Sequence, residues 1–144
     1  MGEARPAVLV VHNDEREASA LRVLLVRSLG CKAEVTWSGL EALRLLDAGH
    51  FNTLLTDEYV PDLYVGELIE RASSLRFSPK VFVVRKGRGS NAMHHYRNLG
   101  LCTLLDKALP QTILASIGAS VISERAHTPF IDDVQPDFLA RGRS

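Results

Sequence analysis

Val8-Leu9-Val10-Val11-His12-Asn13-Asp14-Glu15 changes character halfway along, and the change decides the fold. Four consecutive apolar residues, three of them valines, describe a strand buried on both faces, the kind that fills the interior of a parallel sheet. Beyond the polar break, Ala18, Leu21, Leu25 and Leu29 recur at helical spacing from Glu15 onward, and Gly30 supplies a C-terminal stop. The opening therefore reads as a strand, a short acidic connection and an amphipathic helix.

The same unit repeats along the chain. Ala33 to Thr36 makes a second strand, and Ser38-Gly39-Leu40-Glu41 has the spacing of a capping box that opens a helix through Leu46 to about Gly49. Thr53-Leu54-Leu55-Thr56 is a third strand ending at Asp57, and its helix carries Val65, Leu68, Ile69, Ala72 and Leu75 on one face. Val81 to Val84 is a fourth strand, followed by a solvated turn at Lys86-Gly87-Arg88-Gly89-Ser90 and a helix around Ala92 to Leu99. Cys102 to Leu105 gives a fifth strand, and Pro110 starts a last helix with Ile113, Leu114, Ile117, Val121 and Ile122 inward. Five strand-helix units in strict alternation predict an α/β domain over residues 7–125, with a parallel sheet covered on both faces. The remainder, 126–144, loses the periodicity and reads as a flexible tail, with a short docking segment around Phe130 or Phe138 as the alternative.

Composition narrows the function. The 144 residues hold 17 basic and 17 acidic side chains, with no basic stripe, which argues against direct nucleic-acid contact. The N-terminal residues are polar and the first apolar run stops at His12, so neither a secretory segment nor membrane insertion is expected, and the reading is cytoplasmic. Cys31 and Cys102 are distant from one another and lack a second metal-binding pair, so both read as buried small apolar residues in a reducing compartment.

In open α/β sheets the ligand site lies beyond the carboxyl ends of the strands. Here the first strand delivers His12-Asn13-Asp14-Glu15, the third Asp57-Glu58, the fourth Arg85-Lys86 and the fifth Asp106-Lys107. Carboxylates beside a lysine suit a hard divalent cation such as magnesium, and a metal-neutralised carboxylate can accept a phosphoryl group, a transfer that depends mostly on positioning and charge neutralisation. His12, alone at the end of a buried strand, reads as a hydrogen-bonded structural residue. His94-His95 lacks a metal partner in sequence and reads as partly exposed helix surface.

The strand running into Asn13-Asp14, the segment Asp57-Glu58-Tyr59-Val60-Pro61-Asp62 and the segment Leu105-Asp106-Lys107-Ala108 resemble a response regulator receiver domain of two-component signalling. With Gly30, Gly39 and Gly100 as further markers, the resemblance covers roughly residues 7 to 123. It implies a flavodoxin-like three-layer sandwich with strand order 2-1-3-4-5. It also implies Asp57 as phosphoacceptor, Lys107 as the partner lysine, and Asp14, Asp57, the Tyr59 backbone carbonyl and, more weakly, Asn13 as holders of Mg2+. Counting back from the glycines puts Asn13 and Asp14 at the acidic pair; matching the apolar run puts His12 and Asn13 there. The partners implied are a histidine kinase or phosphotransfer protein and a downstream effector, with a homodimer left open. Such a domain is not an enzyme beyond assisting its own aspartyl phosphorylation and dephosphorylation.

Four positions depart from the family pattern. Arg85 stands where threonine or serine contacts the phosphoryl group, Leu104 replaces an aromatic, Ala108 replaces a proline, and Val65 replaces a glycine beside Gly66. Two carboxylates, Asp14 and Asp57, would face Lys107 and Arg85, which removes the negative excess that attracts a cation, and Arg85 is expected to pair bidentately with Asp57. Weak magnesium binding follows. Two functions compete: a receiver that accepts phosphate on Asp57, and a phosphorylation-independent interaction module. A phosphatase of the aspartyl-nucleophile type would want a second aspartate at Tyr59, and a flavodoxin would want a hydroxyl-rich phosphate loop after the first strand.

Overall fold

The computed structural model describes residues 6–85, 92–106 and 109–127. Five parallel strands form one sheet in the order β2-β1-β3-β4-β5. In chain order the elements are β1 (Ala7–Val11), α1 (Glu15–Leu29), β2 (Lys32–Thr36), α2 (Gly39–Asp47), β3 (Thr53–Asp57), α3 (Val65–Ser73), β4 (Lys80–Arg85), α4 (Ala92–Asn98), β5 (Thr103–Asp106) and α5 (Pro110–His127). The chain divides after Leu114 into two units. The first holds the sheet, α1 to α4 and the start of α5; the described part of the second is the helical stretch 115–127. Of the expected features, the turn Lys86 to Ser90, Lys107, Ala108 and the tail from residue 128 lie outside the described residues. No helix among the described residues is long and apolar enough to cross a membrane.

Side-chain alternation along each strand divides the core. Leu9, Val11, Leu54, Val81 and Val83 join Ala42, Leu46, Leu68, Ile69, Ala72 and Met93 in one buried cluster, so α2, α3 and α4 cover that face. Val8, Val10, Leu55 and Phe82 alternate with them and are also buried, on the face that carries α1. Burial on both sides explains why these strands read as continuous apolar runs rather than as alternating ones.

Helix ends match the sequence signals, with one substitution of partners. The Asp14 carboxylate accepts the N–H groups of Arg16 and Glu17 at the start of α1, and Gly30 ends that helix at φ 62°. Ser38 caps α2 by accepting the Glu41 N–H at 3.0 Å, but the Glu41 carboxylate turns to Arg44, so the reciprocal half of the box is not made. Asp62, from the loop after β3, supplies it instead: it accepts the Ser38 hydroxyl at 2.6 Å and the Gly39 N–H at 2.8 Å. A Cβ on Gly39 would meet Val60 Cγ1 at 3.0 Å and Leu63 Cβ at 3.1 Å, so the close seat of this loop on α2 needs glycine there.

Two strands extend past their apolar runs. β4 reaches Arg85 and β5 reaches Asp106, one residue beyond the expected ends, because these two residues are paired across the strands. Arg85 Nε donates to Asp106 Oδ1 at 2.5 Å and Nη2 donates to Oδ2 at 2.8 Å, a fork-to-fork arrangement. At the other limit, α3 stops at Ser73 rather than Leu75, since the Ser73 and Ser74 hydroxyls donate to the Glu70 carbonyl and compete with the helical ladder.

Two measurements check this account. The Ser38 hydroxyl, with help from the Gly39 and Leu40 N–H groups, holds the Asp62 carboxyl below its usual range. A carboxyl lowered in the folded state stabilises above its unfolded value and loses that contribution as pH falls through the folded one. The difference in Tm between wild type and Asp62→Ala is therefore expected to be full at neutral pH and to shrink below about pH 4, as read by thermal melts across a pH series. The Arg85 side chain is 5% exposed, so Asp106→Ala leaves a buried guanidinium unpaired and is expected to cost about 1–3 kcal/mol in urea unfolding. The double variant Arg85→Met/Asp106→Ala recovers most of that loss.

Candidate functional site

Asp57 is the last residue of β3, and the sheet register sets it beside Val84 of β4. It is buried, at 9% exposure. The Glu58 N–H donates both to Asp57 Oδ1 at 2.8 Å and to the Val84 carbonyl at 3.2 Å, so the carboxylate is braced where β3 leaves the sheet. The other oxygen, Oδ2, faces His12 Nε2 at 3.9 Å.

His12 follows the last residue of β1 and is buried, while the next residue, Asn13, is exposed. Its backbone N–H donates to the Thr36 carbonyl on β2, which carries the sheet pattern one residue past the strand. Its Nδ1 accepts the Asp14 N–H at 2.9 Å. A neutral imidazole with Nδ1 accepting carries its proton on Nε2, and Nε2 lies 3.1 Å from Glu17 Oε1. The ring is thus held on Nδ1 by the N–H of the α1 cap residue and on Nε2 by Glu17 in the first turn of α1, with its N–H toward the carboxylates.

Of the residues expected to hold a divalent cation, Asp57 alone is placed at a buried rim. An oxygen of Asp14 is engaged by the first turn of α1, Asn13 is exposed, and Tyr59, expected to contribute its backbone carbonyl, lies two residues beyond Asp57 and is exposed. Among the described residues, no three His, Cys, Asp or Glu side chains gather in a metal-holding group. Magnesium demands oxygen ligands, and of the two candidate carboxylates that of Asp57 stands at the buried rim while that of Asp14 caps α1.

Arg85 and Asp57 line the same cavity, of about 360 Å³, together with His12, Glu17, Thr56 and apolar side chains that include Val10, Leu21, Leu55 and Ile113. The bidentate partner of Arg85 is Asp106 on the neighbouring strand, not Asp57, because the β4–β5 register sets Arg85 directly opposite Asp106. That hydrogen bonding raises the Arg85 pKa further and lowers that of Asp106. Two of the guanidinium nitrogens are engaged in this way. The third, Nη1, is buried and has no hydrogen-bond partner among the described residues.

Of the remaining departures, Leu104 and Val65 lie among the described residues. Leu104 is partly buried against the α2–α4 core. Val65 begins α3, and Gly66 leaves room for Tyr64 and Tyr96, since a Cβ there would stand 2.4 Å from both side chains. His94 is half-buried and His95 exposed, with the His95 ring edge-on to Tyr96. Burial raises the thiol pKa of both Cys31 and Cys102, as suits inert core residues. Trp37 is exposed. The residues to which sequence reasoning gave no partner are Glu17, near the start of α1, Asp62, Asp106 and His12 in its contact with Asp57. Charge complementarity at coincident strand ends is the signal that would have found Asp106, opposite Arg85.

No protein-family model matches the chain, and no curated protein matches it significantly. Solved structures do match. A CheY-like response regulator receiver domain protein from Methanospirillum hungatei is 22% identical with a TM-score of 0.77, over 87% of this chain and 100% of that one. A signal receiver domain of an HD domain-containing protein from Pseudomonas fluorescens is 18% identical with a TM-score of 0.75, over 86% and 100%. A response regulator receiver protein from Burkholderia phymatum is 23% identical with a TM-score of 0.66, over 81% and 95%. Together with the strand order 2-1-3-4-5, these likenesses establish that the chain has the flavodoxin-like, CheY-like fold of response regulator receiver domains.

Proposed function

We propose that this protein is a receiver in two-component signalling that accepts a phosphoryl group on Asp57 from a histidine kinase or phosphotransfer partner and hands the signal to an effector protein. The observation that carries the reading is the placement of Asp57: at the carboxyl end of the third strand, braced through Oδ1, with Oδ2 facing a cavity that also holds Arg85. In the transfer, Asp57 Oδ2 attacks phosphorus, the phosphorus–nitrogen bond of the donor phosphohistidine breaks, and the departing imidazole keeps its proton. Charge then builds on the phosphoryl oxygens, where fixed donors stabilise it. Arg85 Nη1 supplies such a donor in place of a hydroxyl, and its guanidinium is held in position by Asp106. Lys107, carried over from the family resemblance, would contribute a second positive charge.

A second reading has its own observation in favour. The Arg85–Asp106 clasp ties β4 to β5 at the point where receivers move, and Leu104 leaves no aromatic ring to follow a change there. On that reading the domain holds one state permanently and works as a phosphorylation-independent interaction module.

Incubation with phosphoramidate or a cognate kinase, followed by intact mass analysis, separates the two. One phosphoryl mass is expected on wild type and none on Asp57→Asn; absence of label on wild type with every donor leaves the interaction module. Magnesium is expected to bind weakly, and Arg85→Thr to tighten it about thirtyfold in calorimetric titration, since one unit charge a few ångströms from a divalent cation is worth about 2 kcal/mol in a water-like dielectric. Unchanged affinity in that variant would show that Arg85 is not what opposes the cation.

A further inference from the structure

We infer that His12 does the work at Asp57 that a divalent cation would otherwise do, so that phosphorylation of this receiver proceeds without metal; the inference rests on Asp57 being the acceptor. The imidazole is a preorganised donor. Its Nδ1 accepts the Asp14 N–H at 2.9 Å, which leaves the proton on Nε2, and Nε2 lies 3.1 Å from Glu17 Oε1 and 3.9 Å from Asp57 Oδ2. Oδ2 is the oxygen not engaged by the Glu58 N–H, hence the one placed to attack. At 3.9 Å the imidazole does not hydrogen-bond the attacking oxygen, so it does not blunt it as a nucleophile. An oxygen of a phosphoryl group carried on Oδ2 falls within hydrogen-bond reach of the same N–H.

Three further observations give this geometry its function. His12 is 8% exposed, so its N–H acts at a buried place where a fixed dipole counts for more than in water. Among the described residues, the charged groups that line the cavity are Glu17, Asp57 and Arg85, and the charge of Arg85 is matched by Asp106. Among the described residues no metal-holding group gathers, and two side chains that line the cavity carry N–H donors, His12 and Arg85, at the ends of the strands that flank β3. Glu17 orients the ring and releases the N–H as the phosphoryl oxygen arrives, a positioning role on an exposed side chain.

With phosphoramidate, protonated on nitrogen, as donor, Asp57 Oδ2 forms the new bond to phosphorus, the phosphorus–nitrogen bond breaks, and ammonia leaves with the electron pair. No other reactant enters, and the total charge is unchanged.

The test is the initial rate of phosphoryl incorporation, read by intact mass, with phosphoramidate in chelator and in magnesium. Wild type is expected to label in chelator at a rate within about threefold of that in magnesium, and His12→Ala to label in chelator on the order of a hundredfold more slowly. His12→Gln, which keeps an N–H at that distance along the side chain, restores part of the rate. His12→Asp shifts the dependence, labelling only when magnesium is supplied; unlike a packing defect, this changes the cofactor requirement rather than the yield of folded protein. Wild type that labels only in magnesium overturns the inference and leaves Asp57 as acceptor. No label under any condition removes the acceptor itself, and the role of His12 with it.

Discussion

Charge buried at a common rim is the constraint on which this structure turns. His12, Asp57 and Arg85 sit at the carboxyl ends of β1, β3 and β4 and are each less than a tenth exposed. An ionised group at such depth costs several kcal/mol unless it is paired and hydrogen-bonded. A parallel sheet brings these ends together because its strands all run the same way, and its register then chooses the partners. Asp57 stands beside Val84, which leaves it to the Glu58 N–H and to His12; Arg85 stands beside Asp106 and takes both its oxygens. Partner choice at the rim is thus a consequence of backbone alignment before it is one of chemistry.

The same logic reaches the loop between Asp57 and α3. It is held at one end by the Glu58 N–H, shared between the Asp57 carboxylate and the Val84 carbonyl, and at the other by Asp62 on the N-terminus of α2. The exposed Tyr59 lies between those two anchors, so its presentation to solvent is set by hydrogen bonds on either side rather than by its own packing. A change in charge at Asp57 would act first on the nearer anchor, the Glu58 N–H.

Strands and helices were legible because their signals are local. Four apolar residues in a row mark a strand buried on both faces, and Asp14, Ser38 and Gly30 mark helix ends through groups only a few residues away. The ends of β4 and β5 were less legible, since what extends them is an ion pair between residues on different strands. At the site, Asp57 could be read from its place after a strand and before a spaced proline, whereas the partner of Arg85 could not. The expected pair with Asp57 assumed that nearest opposite charge wins; in the folded chain the directly opposed residue wins, because a bidentate fork needs alignment as well as proximity. The two possible registers for the acidic pair reduce to a geometric fact that sequence could not supply: His12 turns into the rim and Asn13 turns out.

These departures are better understood as one coupled set than as separate losses. An arginine placed on β4 beside an acidic rim needs a carboxylate to hold it, and Asp106 engages two of its three guanidinium nitrogens while the third is buried without a partner among the described residues. With a cation-repelling guanidinium installed, a second rim carboxylate at the end of β1 would have no metal to ligate and would be a buried charge without a partner. An imidazole at that position is a better solution, because a neutral ring can be buried, can accept a backbone N–H on one nitrogen and can still present a donor on the other. Residues that share partners in this way have non-additive effects. Reversing Arg85 alone leaves Asp106 without its bidentate partner, so the effects of changes at Arg85 and at His12, which line one cavity, are not expected to add.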